Sequence, residues 1–271
     1  MSDLSQSTVE EALQFSIHLL SEVGELIRTR REQGFSVHTK PGGSIVTDVD
    51  LAVEREARRR IRNRWPGHLI EGEEEGRDRG ASDFRWLVDP IDGTQSFRHG
   101  VPLYGTILAL TWKERPIVGV INLPGLRRCY WAGQGLGAYR DGERIHIADV
   151  GSEEVMDQIV AMGDRQQFER AGLSSGFDAI LKRHRWARTY TDCFGHCLAV
   201  EGAVGAMVDP AVHPWDAAAT EVLIQEAGGV FERLSASVPG RLNVVFGKPT
   251  VVEWVLGQLD GATDLASTDN G

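Results

Sequence analysis

The chain has 271 residues, 41% of them hydrophobic, and a formal net charge of −10 at neutral pH. That length can bury a substantial core in one large domain or two packed ones, while the acidic balance lacks the basic stripe of a nucleic-acid surface. No run approaches the roughly 20 apolar residues that span a bilayer, and Glu10, Glu11, Glu22 and Glu25 break up the first apolar stretch, so neither a membrane partner nor a signal peptide is expected. Cys129, Cys193 and Cys197 are odd in number and lack a zinc-ribbon spacing, which points to a reducing cytoplasm.

Along the chain, Val9, Leu13, Ile17, Leu20, Val23 and Ile27 recur at three- and four-residue steps and predict a helix from about Thr8 to Arg31. Thr8 with Glu11 fits a capping box at its start. After the loop Lys40-Pro41-Gly42-Gly43-Ser44, a second helix is predicted from roughly Asp50 to Arg64, stopped by Pro66-Gly67. Short strands follow at His68 to Ile70 and Trp86 to Asp89. Three longer ones are predicted at Leu103 to Trp112, Ile117 to Leu123 and Cys129 to Tyr139, with Asp141-Gly142 as a hairpin turn. Beyond Val150 the pattern alternates. Strands are predicted at Ile159 to Met162, Arg188 to Tyr190, Ala206 to Asp209, Gly229 to Arg233 and Asn243 to Phe246. Helices are predicted at Phe194 to Glu201, Ala217 to Ala227 and Thr250 to Leu259. The reading is therefore two closely packed halves, 1–150 and 151–262, with a flexible tail at 263–271.

The sharpest segment is Trp86-Leu87-Val88-Asp89-Pro90-Ile91-Asp92-Gly93-Thr94. An apolar strand ends in Asp89, Pro90 breaks the strand pattern, Asp92 follows, and Gly93-Thr94 opens a turn or helix. Hard cations such as Mg²⁺ take oxygen ligands, commonly one or two carboxylates together with waters and a substrate phosphate. The N–H groups of Gly93 and Thr94 at a helix start could cradle an anion; a capped helix after a strand would use the same residues. Gly72-Glu73-Glu74 upstream reads alone as a solvated loop. Asp216 downstream, at the start of an Ala-rich helix, reads alone as a first-turn carboxylate facing the helix dipole.

Together these segments resemble the inositol monophosphatase family of metal-dependent phosphatases. Asp89-Pro90-Ile91-Asp92-Gly93-Thr94 matches its central motif, Gly72-Glu73-Glu74 and Trp215-Asp216-Ala217-Ala218 flank it, and Val46-Thr47-Asp48-Val49-Asp50 and Glu226-Ala227-Gly228-Gly229 also fit. The resemblance runs from the first helix to about Leu259. It implies a layered αβαβα sugar-phosphatase-like fold, α+β in the first half and α/β in the second, and a homodimer. It also implies two Mg²⁺ ions and a third, weaker one. Glu73, Asp89 and the Ile91 carbonyl would ligate the first ion, and Asp89, Asp92 and Asp216 the second. Two cations would clamp the attacking and leaving oxygens of an in-line displacement. The same resemblance assigns Glu73 and Thr94 to orienting the water, with Asp50 bonded to Thr94; a cap at the helix start is the other reading of Asp50. Lys40 stands where relatives carry a lysine, and Ser44 where many carry an aspartate.

The substrate is expected to be a small phosphate monoester. The run Arg188 to His196, containing Asp192-Cys193-Phe194-Gly195, resembles the histidinol-phosphatase branch, as does Met207-Val208-Asp209-Pro210 before Pro214-Trp215-Asp216. L-Histidinol phosphate carries an ammonium and an imidazole that Asp192 and Asp209 could face, whereas an inositol ring is neutral. Inositol-1-phosphate is the nearest alternative, ahead of sugar or nucleotide phosphates and of a non-catalytic binding protein on the same fold. His99, His196 and His213 read as structural or surface groups, and the cysteines as packing residues.

Overall fold

The computed structural model describes residues 4–268, and their side chains through Leu259. Helix α1 (Gln6–Gln33) turns Val9, Leu13, Leu20, Val23 and Ile27 to one buried face, as its periodicity requires. Its cap is Ser5, whose side chain accepts the Thr8 N–H, rather than the expected Thr8–Glu11 box. A small antiparallel hairpin, β1 (Val37–Thr39) and β2 (Ile45–Thr47), leads into α2 (Asp48–Arg64). Thr47 and Asp50 cap α2 reciprocally.

The first half then forms an eight-stranded sheet from β3 (Leu69–Gly72), β4 (Gly76–Arg77), β5 (Phe84–Asp92), β6 (Gly105–Trp112), β7 (Arg115–Leu123), β8 (Arg128–Gly133), β9 (Gly137–Arg140) and β10 (Glu143–Ile145). Helix α3 (Thr94–His99) lies between β5 and β6. The strand order is β10-β9-β8-β7-β6-β5-β3-β4, and only β3 and β5 run parallel. Asp141-Gly142 makes the expected two-residue turn between β9 and β10, both residues at positive φ. The single strand expected from Cys129 to Tyr139 is instead two strands, because the chain reverses at Gln134-Gly135-Leu136 with Gly135 at φ +77°.

The second half carries β11 (Val160–Met162), β12 (Ala187–Thr189), β13 (Ala206–Val212), β14 (Val230–Leu234) and β15 (Leu242–Gly247), in the order β12-β11-β13-β15-β14. Its helices are α4 (Arg165–Ala171), α5 (Ser174–Arg183), α6 (Asp192–Val200), α7 (Pro214–Glu226) and α8 (Pro249–Thr268). Neither α4 nor α5 is among the helices predicted above. Helix α8 is drawn through Thr268, across most of the segment expected as a tail, and residues 269–271 lie outside the described residues.

Layering follows from which faces are apolar. Helices α1 and α2 cover one face of the large sheet through Leu20, Val53 and Ile61 against Trp86, Leu108 and Val120. Helices α6 and α7 fill the space between the two sheets, where Cys197, Ala219 and Leu223 join Ile107, Ile121, Met207 and Phe246 in one core. Helices α5 and α8 cover the outer face of the small sheet around Val160, Val208 and Val245. The order is αβαβα. The middle layer packs tightly: a Cβ added at Gly119 of β7 would fall 2.7 Å from the Ala219 Cα of α7.

Candidate active site

Strand β5 does not end at Pro90. Asp89 pairs with Ile107 and Asp92 with Gly105, so three steps on β5 face two on β6. That is a β-bulge, a position that tolerates a proline because no ladder donor is needed there. The Pro90 carbonyl still accepts a hydrogen bond from Thr106 Oγ1 at 2.8 Å. The extra residue turns Asp89, Ile91 and Asp92 toward one rim. Gly93 then bends at φ +81°, and Thr94 starts α3.

Four other segments converge on that rim. A cavity of about 280 Å³ is lined by Glu73, Asp89, Ile91, Asp92, Gly93, Thr94, Asp192 and Asp216, together with Ser44, His213 and Trp215. Every predicted metal ligand therefore reaches one space, from β3's end, β5, and α7. The carboxylates are spread over its walls: among the described residues, no three Asp, Glu, His or Cys side chains already enclose a single point.

Each wall has its own support. Gly72 allows the buried Glu54 carboxylate to press against β3, where it accepts the Glu74 and Glu75 N–H groups at 2.7 and 3.0 Å. Arg58 holds Glu54 at 2.8 Å. This buried pair shapes the Glu73 loop and is not among the groups singled out in the sequence. Lys40 Nζ donates to Glu73 at 2.9 Å and Glu74 at 2.8 Å. Thr94 Oγ1 donates to the Ile91 carbonyl at 3.0 Å, with Asp50 Oδ1 at 3.5 Å. Asp50 therefore combines both readings: it caps α2 through the Thr47 N–H at 2.9 Å and faces Thr94.

Asp216 is the third residue of α7 and accepts the His213 N–H at 2.7 Å, which fixes its carboxylate at the helix start. Asp92 accepts the Cys193 N–H of α6. Asp192 opens α6 at φ +60°, a left-handed conformation uncommon for a residue with a side chain. Thr191 donates to its carboxylate at 3.0 Å, and the same carboxylate lies 3.3 Å from where a Gly93 Cβ would stand.

Asp209 stands apart from the cavity lining. It is buried in β13, where Oδ2 meets His196 Nε2 at 2.8 Å and Oδ1 accepts from Gln167 at 3.1 Å. His196 Nδ1 in turn meets Thr220 at 2.7 Å. Asp209, expected to face the substrate, is thus not among the residues lining this cavity, and each of its oxygens contacts another side chain of the protein. His196 is a buried structural group between Asp209 and Thr220, and Gln167 lies on α4, a helix not predicted from the sequence.

Burial, followed by repulsion from Glu73, Asp92, Asp216 and Asp50, pushes the Asp89 carboxyl far above its ordinary range. Asp92 is pushed up likewise, by burial and then by Asp192 and Asp216. Burial also raises Asp216 to about 7 and Asp192 to about 6. Asp89 Oδ1 is buried with no hydrogen-bond partner. An orphaned carboxylate oxygen amid like charges costs free energy unless a cation faces it. An all-oxygen donor set of this kind fits a hard divalent ion such as Mg²⁺.

Comparison with known proteins agrees with this geometry. The model of the inositol monophosphatase family matches residues 8–261. A histidinol-phosphatase of Mycobacterium tuberculosis is 36% identical over 221 residues, covering 80% of this chain and 85% of that protein. An inositol monophosphatase of Dictyostelium discoideum is 30% identical over 232 residues, with coverage of 82% and 85%. Among solved structures, an IMPase from Thermotoga maritima superposes with a TM-score of 0.82 at 28% identity, covering 94% of this chain and 98% of that one. With sequence and fold agreeing over nearly the whole length, the chain belongs to the inositol monophosphatase family and is a phosphatase of that family.

Proposed function

We propose that the protein hydrolyses L-histidinol phosphate to L-histidinol and inorganic phosphate with the help of Mg²⁺. The observation that carries the substrate choice is Asp192, whose carboxylate lines the same cavity as the strand-end aspartates. An ammonium group on the ester would neutralise this carboxylate, which is otherwise raised by burial. A neutral inositol ring offers no such charge. Three curated relatives named histidinol-phosphatase, at 36%, 31% and 31% identity, support the choice.

Glu73, Asp89, Asp92, Asp216 and the Ile91 carbonyl would hold the ions. Bound Mg²⁺ would supply charge neutralisation and polarisation of the phosphoryl oxygens. The chain's own groups do the positioning. Thr94 Oγ1, donating its proton to the Ile91 carbonyl, keeps lone pairs free to accept from the attacking water. Glu73 holds that water from the opposite wall and takes its proton. The N–H groups of Gly93 and Thr94 face the phosphoryl group at the turn after β5. His213 and Trp215, stacked with ring centroids 4.2 Å apart, line the same cavity as Asp216.

The test is a panel of L-histidinol phosphate, inositol-1-phosphate, fructose bisphosphate and adenosine bisphosphate with Mg²⁺. The proposal expects kcat/KM for L-histidinol phosphate to exceed that of every other ester by tenfold or more. Inositol-1-phosphate turning over faster would reverse the assignment within the family.

A further inference from the structure

A second cavity of about 330 Å³ opens where three elements meet: the last turns of α1, the segment entering β6, and the turn between β7 and β8. It shares no lining residue with the catalytic cavity. Its wall carries Arg28, Arg31 and Arg127 against one carboxylate, Glu32, in a chain whose overall charge is −10. Arg28 is engaged by Glu25. Among the described residues, neither Arg31 nor Arg127 has an ion-pair partner.

These arginines are held in place by the fold. Arg31 Nη1 donates to the buried Tyr104 hydroxyl at 3.2 Å, and its guanidinium lies 5.6 Å from the centre of the Tyr104 ring. A Cβ at Gly100 would stand 3.2 Å from Arg31 Nη2, so this glycine leaves the guanidinium its room. Arg127 projects from a turn at φ +54°, in the left-handed region. That turn is docked by Gly125, where an added Cβ would come within 2.8 Å of the Pro102 carbonyl.

We propose that this cavity binds a small oxyanion, a phosphoryl group offered either as free phosphate or as the end of a larger ester. Guanidinium groups stay protonated at all working pH values and present planar forks that match tetrahedral oxyanions in two-point contacts. Arg31 and Arg127 would supply the forks. The volume suits a small ligand.

The test is calorimetric titration of inorganic phosphate, and separately of glycerol 2-phosphate, into the full chain with Mg²⁺ and again with excess EDTA. In EDTA the carboxylate-lined catalytic cavity repels anions, so the remaining binding reports the arginine cavity. Wild type is expected to bind one phosphate per chain in EDTA, and Arg31→Gln with Arg127→Gln together to weaken it tenfold or more. Turnover in Mg²⁺ and the far-ultraviolet circular dichroism should be unchanged in that double variant. If the pair compromises folding, Arg127→Gln alone, on an exposed turn, should still weaken binding severalfold. Tighter binding of the ester identifies an organophosphate as the ligand, and equal binding identifies the free oxyanion. Absence of binding to wild type in EDTA, or equal affinity in the variants, overturns the proposal. Neither outcome bears on the hydrolytic reading, whose substrate panel is independent.

Discussion

Lys40 Nζ lies 2.9 Å from Glu73 Oε1, so a cation of the protein already sits on a carboxylate assigned to an incoming one. Lys40→Met removes that competitor and leaves the cavity more negative. The Mg²⁺ concentration for half-maximal activity is expected to fall severalfold, measured by phosphate release across a Mg²⁺ titration. A higher Mg²⁺ requirement would mean that Lys40 organises Glu73 rather than competing for it.

Asp92→Asn keeps the shape of a side chain that accepts the Cys193 N–H but removes a charge repelled by Asp192 and Asp216. Phosphate release in Mg²⁺ should drop by more than ~100-fold, beyond the roughly 10–100-fold that loss of a mere outer-shell partner of a metal ligand costs. The folded state should survive with unaltered circular dichroism, and in EDTA its unfolding temperature should rise, because a buried like charge is gone. Retained activity would refute the assigned ligand set.

The raised carboxyls set a pH dependence whose sign can be worked out. Asp216 at about 7 and Asp192 at about 6 lie above their ordinary 3.8. Between those values the folded chain binds protons that the unfolded chain releases, so stability falls as pH rises through about 6–7. His68 acts in the opposite sense. It accepts the Trp86 indole N–H at 3.1 Å, and burial lowers its pKa from 6.5, so its contribution is lost as pH falls below 6.5. Scanning fluorimetry in EDTA should therefore give a lower unfolding temperature at pH 8 than at pH 6.5. Saturating Mg²⁺ should remove most of that difference by stabilising only the folded chain. A higher unfolding temperature at pH 8 in EDTA would contradict the repulsion described here.

Asp192→Asn tests charge against backbone at the same position. Asparagine tolerates left-handed φ well, so the φ +60° opening of α6 is kept and only the charge is lost. KM for L-histidinol phosphate should rise tenfold or more, while activity on inositol-1-phosphate stays within about twofold of wild type, given the ~1.5–3 kcal/mol typical of a charge-assisted hydrogen bond. Equal losses on both esters would make Asp192 a positioning residue for Asp92.

Gly119→Ala should destabilise the protein, since its methyl group meets the backbone of Ala219, which cannot rotate away. Overpacking of this kind costs about 1–3 kcal/mol, read as a lower urea midpoint with an unchanged slope.

Several of these features were legible in the sequence. Glu73, Asp89, Asp92 and Asp216 were gathered at one site by the resemblance of their motifs to the family's, since the Glu73 loop and Asp216 read alone as a solvated loop and a helix-start carboxylate. Pro90 misled because proline ordinarily stops a ladder, whereas here the bulge opposite Ile107 and Gly105 removes the need for its missing donor. The left-handed backbone at Asp192 has no signature in residue type. Asp209 is separated from its partners His196 and Gln167 by 13 and 42 positions, a spacing with no helical or strand period. The buried Glu54–Arg58 pair could have been found: two charges four apart on the apolar side of α2 have to satisfy each other or a neighbouring loop.

The close approach of Gly119 to Ala219 also ties two walls of the catalytic cavity together. Helix α7, which carries Asp216, is seated with its backbone against the sheet that carries Asp89, so the two carboxylates are borne on one packed unit.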